Sequence, residues 1–198
     1  MFDLPGGDIQ ACPGCGSSLP ATDGPTHAYM LSSPACWATF NAVIAREFSD
    51  PALMEVHRLS VDAWAVQHPG NGSRRAIQSV GLHLARLMVQ LEGGLSGKAA
   101  NSAMLGFAVR KHELPVMPAR KSYAVTVADV VDATAPEDHR RAVRGWAEAT
   151  WNDWADQHDF IRQWVEMGGS ARSGHLGFKL GRHHKSSPAR SPLRTSRA

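Results

Sequence analysis

The sequence lacks the features that mark membrane-spanning, secreted or disulfide-stabilised proteins. No apolar run approaches the roughly 18 residues that a membrane span requires, and no membrane partner is expected. The start of the chain, MFDLPGGDIQACPGCG, has neither the basic flank nor the apolar core of a secretory signal. There are only three cysteines, an odd number that does not suit a disulfide framework. These absences predict a cytoplasmic protein.

Size and charge predict one domain followed by a basic tail. The 198 residues, 43% of them hydrophobic, suffice for a single core, which we place within residues 1–170. Seven of the 21 Lys and Arg residues lie from residue 172 onward with no Asp or Glu, so 14 basic residues face 18 acidic ones before it. Residues 171–198 are rich in Ser, Pro and Arg, which predicts disorder. Such a tail would make only weak, salt-sensitive contact with nucleic acid, which is otherwise not an expected partner.

Capping residues and apolar spacing predict a mainly α-helical bundle over residues 34–167. Helix starts are indicated at Ser33-Pro34, Asp50-Pro51 and Ser73. One long helix is predicted from Pro136 to Met167, with Trp151, Trp154, Ile161 and Val165 on its buried stripe. The pattern of segment 95–135 is mixed. AANSAMLGFAVR is compatible with a helix, whereas LPVMPARKSYAVTV favours an extended conformation.

The three cysteines and a nearby histidine form a candidate zinc site. Cys12 and Cys15 are a CxxC pair in a glycine-rich loop, and His27 and Cys36 follow downstream. Zinc binds thiolates and imidazoles in a tetrahedron, so this Cys3His set predicts a structural zinc knuckle over residues 10–36. The alternatives are a redox-active pair, for which no preceding strand is evident, and three unrelated cysteines.

Histidines on three predicted helices form a second candidate site. If residues 69–72 turn between antiparallel helices, His57 and His83 lie at the same height, and His158 follows the inward stripe of the last helix. Three imidazoles would leave open positions on a second metal ion, whose identity the pattern does not indicate. Asp62 and His68 are the candidate catalytic residues, Asp62 as a base or as a support for a ligand. The alternative is that each histidine is hydrogen-bonded in the core.

The chain resembles a family of bacterial proteins of unknown function. The resemblance rests on CPGCG, HAYMLSSPACW, VHRLSVDAWAVQHPG, QSVGLHL and VRGWAEATWNDWADQHDFIRQW, in this order over roughly residues 10–166. It implies that the candidate residues stand in the family's pattern positions, namely Cys12, Cys15, His27, Cys36, His57, Asp62, His68, His83 and His158. The outline is also similar to metal-dependent four-helix bundles related to damage-inducible and thiol-transferase proteins, an analogy of architecture alone.

Two functions are compatible with these patterns. The first is a metal-dependent enzyme that acts on a small molecule through the histidines, with hydrolysis, thiol transfer and oxygen chemistry all open. The second is a non-catalytic, zinc-stabilised interaction or regulatory module.

Overall fold

The computed structural model describes residues 8–70, 72–117, 120 and 122–170, and this part of the chain is mainly helical, as predicted. Strands β1 (Ile9–Ala11) and β2 (Ser18–Pro20) form an antiparallel hairpin in which Gln10 pairs with Leu19. The helices that follow are α1 (Pro34–Ser49), α2 (His57–Gln67), α3 (Arg74–Leu91), α4 (Gly97–Arg110), α5 (Pro136–Asp153) and α6 (His158–Ser170). Among the described helices, none is long and apolar enough to cross a membrane. The predicted tail, residues 171–198, lies outside the described residues.

Two helices begin where their capping residues predict. The hydroxyl of Ser33 accepts a hydrogen bond from the amide of Cys36 at 3.2 Å, and Pro34 is the first residue of α1. Ser73 caps α3 in the same way through the amide of Ala76. Within the mixed segment, α4 begins after a similar cap, Ser96, and the described residues after it form no strand.

The second predicted helix starts later than expected. The carboxylate of Asp50 accepts from the amide of Ala52 at 2.9 Å, but it opens only the 3₁₀ turn Pro51–Leu53. The following amides bond carbonyls three residues earlier, so the chain turns tightly before α2 begins at His57. Leu53 and Val56 are buried by this turn.

The prediction of one long final helix was also wrong, because the helix is interrupted at Trp154, between α5 and α6. Trp154 has φ −104° and ψ 22° and is fully buried, and a 3₁₀ turn, Ala155–Gln157, follows it. A single helix over Pro136–Met167 would be ~48 Å long. The break lets both shorter helices pack against α3. The four tryptophans of this region, Trp146, Trp151, Trp154 and Trp164, belong to the core.

A buried amide joins α2 to α5. Gln67 is inaccessible to solvent. Its side-chain nitrogen donates to the carbonyl of Val125 at 2.7 Å and to the hydroxyl of Thr150 at 2.8 Å, and its oxygen accepts from the indole of Trp146. Every polar atom of the amide therefore has a hydrogen-bond partner, which offsets the free-energy cost of burying it in a helical core. Gln67 immediately precedes His68, so this junction also fixes the end of α2.

The end of α3 is tied to α5 and α6 by one carboxylate. Glu92 accepts hydrogen bonds from the guanidinium of Arg162 at 2.6 and 2.9 Å and from the indole of Trp151 at 3.0 Å. These donors, the Arg162 guanidinium foremost, lower the pKa of Glu92 from its usual value of 4.5. The lowered pKa means that the ionised form of Glu92 stabilises the fold.

Replacing Glu92 by Gln is expected to lower the free energy of unfolding by about 1 kcal/mol at pH 7. A carboxylate whose pKa is lowered by folding stabilises the protein above its unfolded pKa, and this contribution is lost as the pH falls through its folded pKa. The difference between E92Q and the wild type should therefore shrink below about pH 4. Urea unfolding at pH 7 and pH 3 measures it, with exposed Glu148→Gln on α5 as the control. An equal loss at both pH values would contradict this role.

Candidate functional site

Three sulfur atoms meet because the hairpin loop packs against the start of α1. Cys12 and Cys15 lie in the turn between β1 and β2, which is closed by the hydrogen bonds Cys12 N–Ser17 O and Gly16 N–Cys12 O. Cys36 lies in the first turn of α1, where its Sγ is 3.8 Å from the Sγ of Cys15. All three thiols are buried and free of disulfides.

The fourth member of this cluster is His68, at the end of α2. Its Nδ1 donates to the carbonyl of Trp64 at 2.6 Å. Nε2 therefore faces the sulfurs, 3.5 Å from Cys12 and 3.3 Å from Cys36. A hydrogen bond of this kind, on the ring nitrogen away from the metal, orients histidines that bind metals.

The spacing of these four atoms fits a tetrahedral metal ion. The four ligand atoms lie within 4.8 Å of one another. Zinc with bonds of about 2.3 Å to sulfur and about 2.0 Å to nitrogen requires tetrahedral edges of about 3.5 to 3.8 Å between its ligands. The distances given above lie close to those edges and far from a disulfide bond. Cys12, Cys15, Cys36 and His68 thus form a buried Cys3His cluster that could hold a metal ion.

Gly14 is required between the two cysteines of the loop. A Cβ at this position would lie 2.2 Å from the carbonyl oxygen of Leu31 and 2.5 Å from Cδ2 of His68. Both distances are far below van der Waals contact, so a side chain here would push the loop away from His68. The glycine of the CPGC motif therefore lets the hairpin approach the end of α2.

The thiols of the cluster ionise unequally. Hydrogen bonds with Cys15 and Cys36 hold the pKa of the Cys12 thiol far below its usual value. The pKa of Cys36 is raised by its hydrogen bonds with Cys12 and Cys15 and by burial, because this thiol acts as a donor to its neighbours. Burial lowers the pKa of His68, but its hydrogen bonds with Cys12 and Cys15 outweigh this and raise the pKa to about 9. Metal binding would release the protons that remain.

The sequence analysis predicted His27 as the fourth ligand, and this was wrong, because the cluster contains His68 instead. The Nδ1 of His27 instead accepts hydrogen bonds from the amides of Tyr29 and Met30, at 3.4 and 3.2 Å. Its ring packs edge-on against Tyr29 and Trp37, outside the cluster. His68, which the sequence analysis gave a catalytic role, takes the place in the cluster. Sequence spacing missed it because most of α1 and all of α2 separate it from Cys36.

An aromatic cavity of about 340 Å³ lies beside the cluster. The two share a wall, because the ring of Trp64 lines the cavity and stacks on His68 with ring centroids 4.1 Å apart. The cavity is lined by His27, Tyr29, Met30, Trp37, Phe40, Asn41, Ile44, Phe48, His57, Val61, Trp64, Ala65 and His83. A concave, mainly apolar site with a few polar groups is typical of small-molecule binding.

His57 reaches this cavity from a buried carboxylate. Its Nδ1 lies 2.8 Å from Glu47, whose side chain is inaccessible to solvent. Glu47 also accepts from Nε2 of His139 at 3.1 Å and from the hydroxyl of Ser60. Arg46 donates to the other nitrogen of His139. Because Nδ1 donates to this carboxylate, the neutral imidazole of His57 has its lone pair on Nε2.

His83 forms a second pair of the same kind. Its Nδ1 donates to Asp62 at 2.7 Å, and the Asp62 side chain is fully buried. Asp62 also accepts from Arg86 at 2.8 Å and from Gln90 at 2.9 Å. The guanidinium balances the buried charge of the carboxylate. Asp62 therefore supports His83, and the Nε2 of His83 is the ring nitrogen left for a ligand.

The predicted metal site of His57, His83 and His158 does not assemble. His57 and His83 line one cavity, but His158 lies outside it, stacked on Trp151 with ring centroids 3.7 Å apart. The Nε2 of His158 donates a hydrogen bond to the carbonyl of Trp151 at 2.8 Å. The break at Trp154 displaces His158 from the stripe on which it was predicted. Within the described ranges, the Cys3His cluster is the only group of three or more His, Cys, Asp or Glu side chains that could hold a metal.

Glu47 is the functional candidate that the sequence analysis missed. It follows Cys36, Phe40 and Val43 at spacings of four, three and four, so it lies on the buried stripe of α1. An acidic residue on an apolar helical stripe needs buried partners, and His57 and His139 supply them. That spacing was the available signal, whereas the identity of the partners depended on the fold.

The cluster and the helices define a mainly helical protein with a buried Cys3His site. The chain belongs to the Family of unknown function (DUF5946), whose family model matches residues 10–155. Searches of curated proteins and of solved structures each found no match. The matched segment contains the whole cluster, both carboxylate–histidine pairs and the cavity.

His68→Ala is expected to reduce the bound metal from one ion per chain to less than about a tenth of that, because three thiolates leave one tetrahedral position unfilled and weaken the site. The matched control is His27→Ala, which removes the other nearby imidazole and should keep the full metal content. Elemental analysis after dialysis against a mild chelator measures both. Metal loss in H27A with retention in H68A would reverse the ligand assignment.

Proposed function

We propose that zinc occupies the Cys3His cluster and staples the fold. Three thiolates and one imidazole are a ligand set typical of structural zinc, and all four positions of a tetrahedron are then filled by protein. The site draws together the hairpin, α1 and the end of α2, which supports a role in folding. Free thiols of this kind suit the reducing cytoplasm, which we propose as the protein's location.

We infer that the aromatic cavity is the active site of an enzyme that acts on a small molecule. The observation that carries this is the pair of carboxylate-backed imidazoles, Glu47–His57 and Asp62–His83, on the wall of one cavity. A carboxylate on Nδ1 fixes the orientation and the tautomer of the ring, as it does in the Ser-His-Asp triad. His57 and His83 would thus act as bases toward a bound molecule.

This proposal modifies the role that the sequence analysis gave to the histidines. With His158 outside the cavity, the imidazoles of His57 and His83 act through their lone pairs on the substrate. Glu47 and Asp62 are positioning residues, because each holds an imidazole and neither lines the cavity itself. Zinc would support the cavity indirectly: it would hold His68 in place, and the His68 ring stacks on Trp64 in the cavity wall.

The alternative is a non-catalytic, zinc-stabilised interaction module. Leu105 and Val109, one turn apart on α4, are 74% and 65% exposed. An interaction module could use such exposed apolar side chains for contact with a partner. In that case the two carboxylate–histidine pairs would serve only to satisfy buried charges.

Hydrolysis of p-nitrophenyl acetate separates the two functions. Neutral imidazole attacks this ester, releases p-nitrophenolate and leaves an acetyl group that water removes as acetate. A saturable rate in the wild type should fall by at least about tenfold in His57→Gln and His83→Gln. His158→Gln is the matched control, since its imidazole lies outside the cavity, and should retain the wild-type rate.

The folding of each variant is checked by its helical circular dichroism and its metal content. Equal rates in the wild type and in all three folded variants would show that the cavity histidines have no special reactivity. That result would favour the interaction module.

A further inference from the structure

The walls of the cavity are suited to an aromatic ring. Trp64 stacks on Phe40 with ring centroids 4.6 Å apart and an interplanar angle of 18°. Trp37 packs against both of these rings, at 5.1 Å from Trp64 and 5.8 Å from Phe40. All three side chains line the same cavity, so a flat ligand would meet aromatic surface.

The cavity also presents no charged side chain to its contents. Among its described lining residues, none is Asp, Glu, Lys or Arg. The two nearby carboxylates are turned away and saturated, Glu47 by three donors and Asp62 by Arg86, His83 and Gln90. An ionised ligand would lose its hydration without gaining a counter-charge, which favours a neutral one.

Hydrogen-bonding groups in the cavity are of two kinds. His57 and His83 each donate through Nδ1 to a carboxylate, so in the neutral imidazoles the Nε2 atoms are acceptors. His27 accepts two backbone amides through Nδ1, so its Nε2 carries the proton and is a donor. The histidines therefore offer two acceptors from α2 and α3 and one donor from the loop, and the Tyr29 and Asn41 side chains also line the cavity.

A second donor lacks a partner. Trp64 is only 2% exposed, and its indole Nε1 is buried and has no hydrogen-bond acceptor among the described residues. Buried indole N–H groups normally find an acceptor. A ligand acceptor that reaches this nitrogen would supply the missing partner.

We propose that the cavity binds a neutral hydroxylated aromatic molecule, a phenol in the simplest case. Its hydroxyl donates to Nε2 of His57 or His83, while its ring lies against Trp37 and Phe40. A hydroxyl is the smallest neutral group that can donate a hydrogen bond to such an acceptor. The proposal rests on the proposed function, because it names the substrate class of the same cavity.

Calorimetric titration of the metal-loaded full chain with three matched probes tests this class. The probes are p-cresol, p-xylene, in which a methyl group replaces the hydroxyl, and the anion 4-methylbenzoate. We expect p-cresol to bind at least about tenfold more tightly than either of the others, the effect of one well-formed buried hydrogen bond. At least one of His57→Leu and His83→Leu should remove this preference, whereas His158→Leu, outside the cavity, should keep it.

The outcomes separate the two proposals. Equal binding of p-cresol and p-xylene would overturn the hydroxylated class while leaving the cavity as a small-molecule site. Tighter binding of 4-methylbenzoate would overturn the requirement for a neutral ligand. Binding of none of the three would contradict the substrate class, and together with equal ester hydrolysis in all variants it would contradict the active site itself. The comparison among probes uses the wild-type chain, so it holds even if a variant fails to fold.

Discussion

The meeting of three sulfurs and one imidazole is the contact on which the rest of the site depends. Cys12 and Cys15 come from the hairpin, Cys36 from the start of α1 and His68 from the end of α2, so the cluster joins three separate segments. His68 stacks on Trp64, and Trp64 forms the wall shared with the cavity. The hairpin loop that carries Cys12 and Cys15 is followed by His27 and Tyr29, which close the same cavity. Metal binding would therefore stabilise the fold and shape the cavity together.

Two buried carboxylates make the second constraint on this structure. Glu47 joins α1 to α2 and α5 through His57, Ser60 and His139, and Asp62 joins α2 to α3 through His83 and Arg86. A buried carboxylate is tolerated only when donors surround it, so each fixes the orientation of its histidine. The same hydrogen bonds that make burial of these charges tolerable leave the Nε2 atoms of His57 and His83 available to the cavity.

Local signals predicted the parts of the fold that local chemistry determines. The serine caps placed the starts of α1 and α3, and the CxxC pair with Cys36 identified three members of the cluster. His57 and His83 were paired by the geometry of the helical hairpin, and the structure has both on one cavity. The pairing of His57 with His83 needed only helix periodicity and the length of one turn.

The errors concern features that depend on tertiary packing. The choice between His27 and His68 is made by the approach of the hairpin loop to the end of α2, which Gly14 permits and which no spacing encodes. The break at Trp154 arises because two short helices can both pack on α3, whereas the apolar pattern continues through the break. That break moved His158 away from His57 and His83. Glu47 was missed because its partners come from α2 and α5.

The ligand set of the metal is tested most directly by X-ray absorption spectroscopy on the full chain, purified without added metal. A zinc edge is predicted, with three sulfur scatterers at about 2.3 Å and one nitrogen scatterer at about 2.0 Å. Loss of the nitrogen shell in a sample lacking the His68 imidazole would complete the assignment. A metal coordinated by nitrogen and oxygen alone, or a chain that binds no metal, would contradict the Cys3His centre and the dependence of the cavity on it.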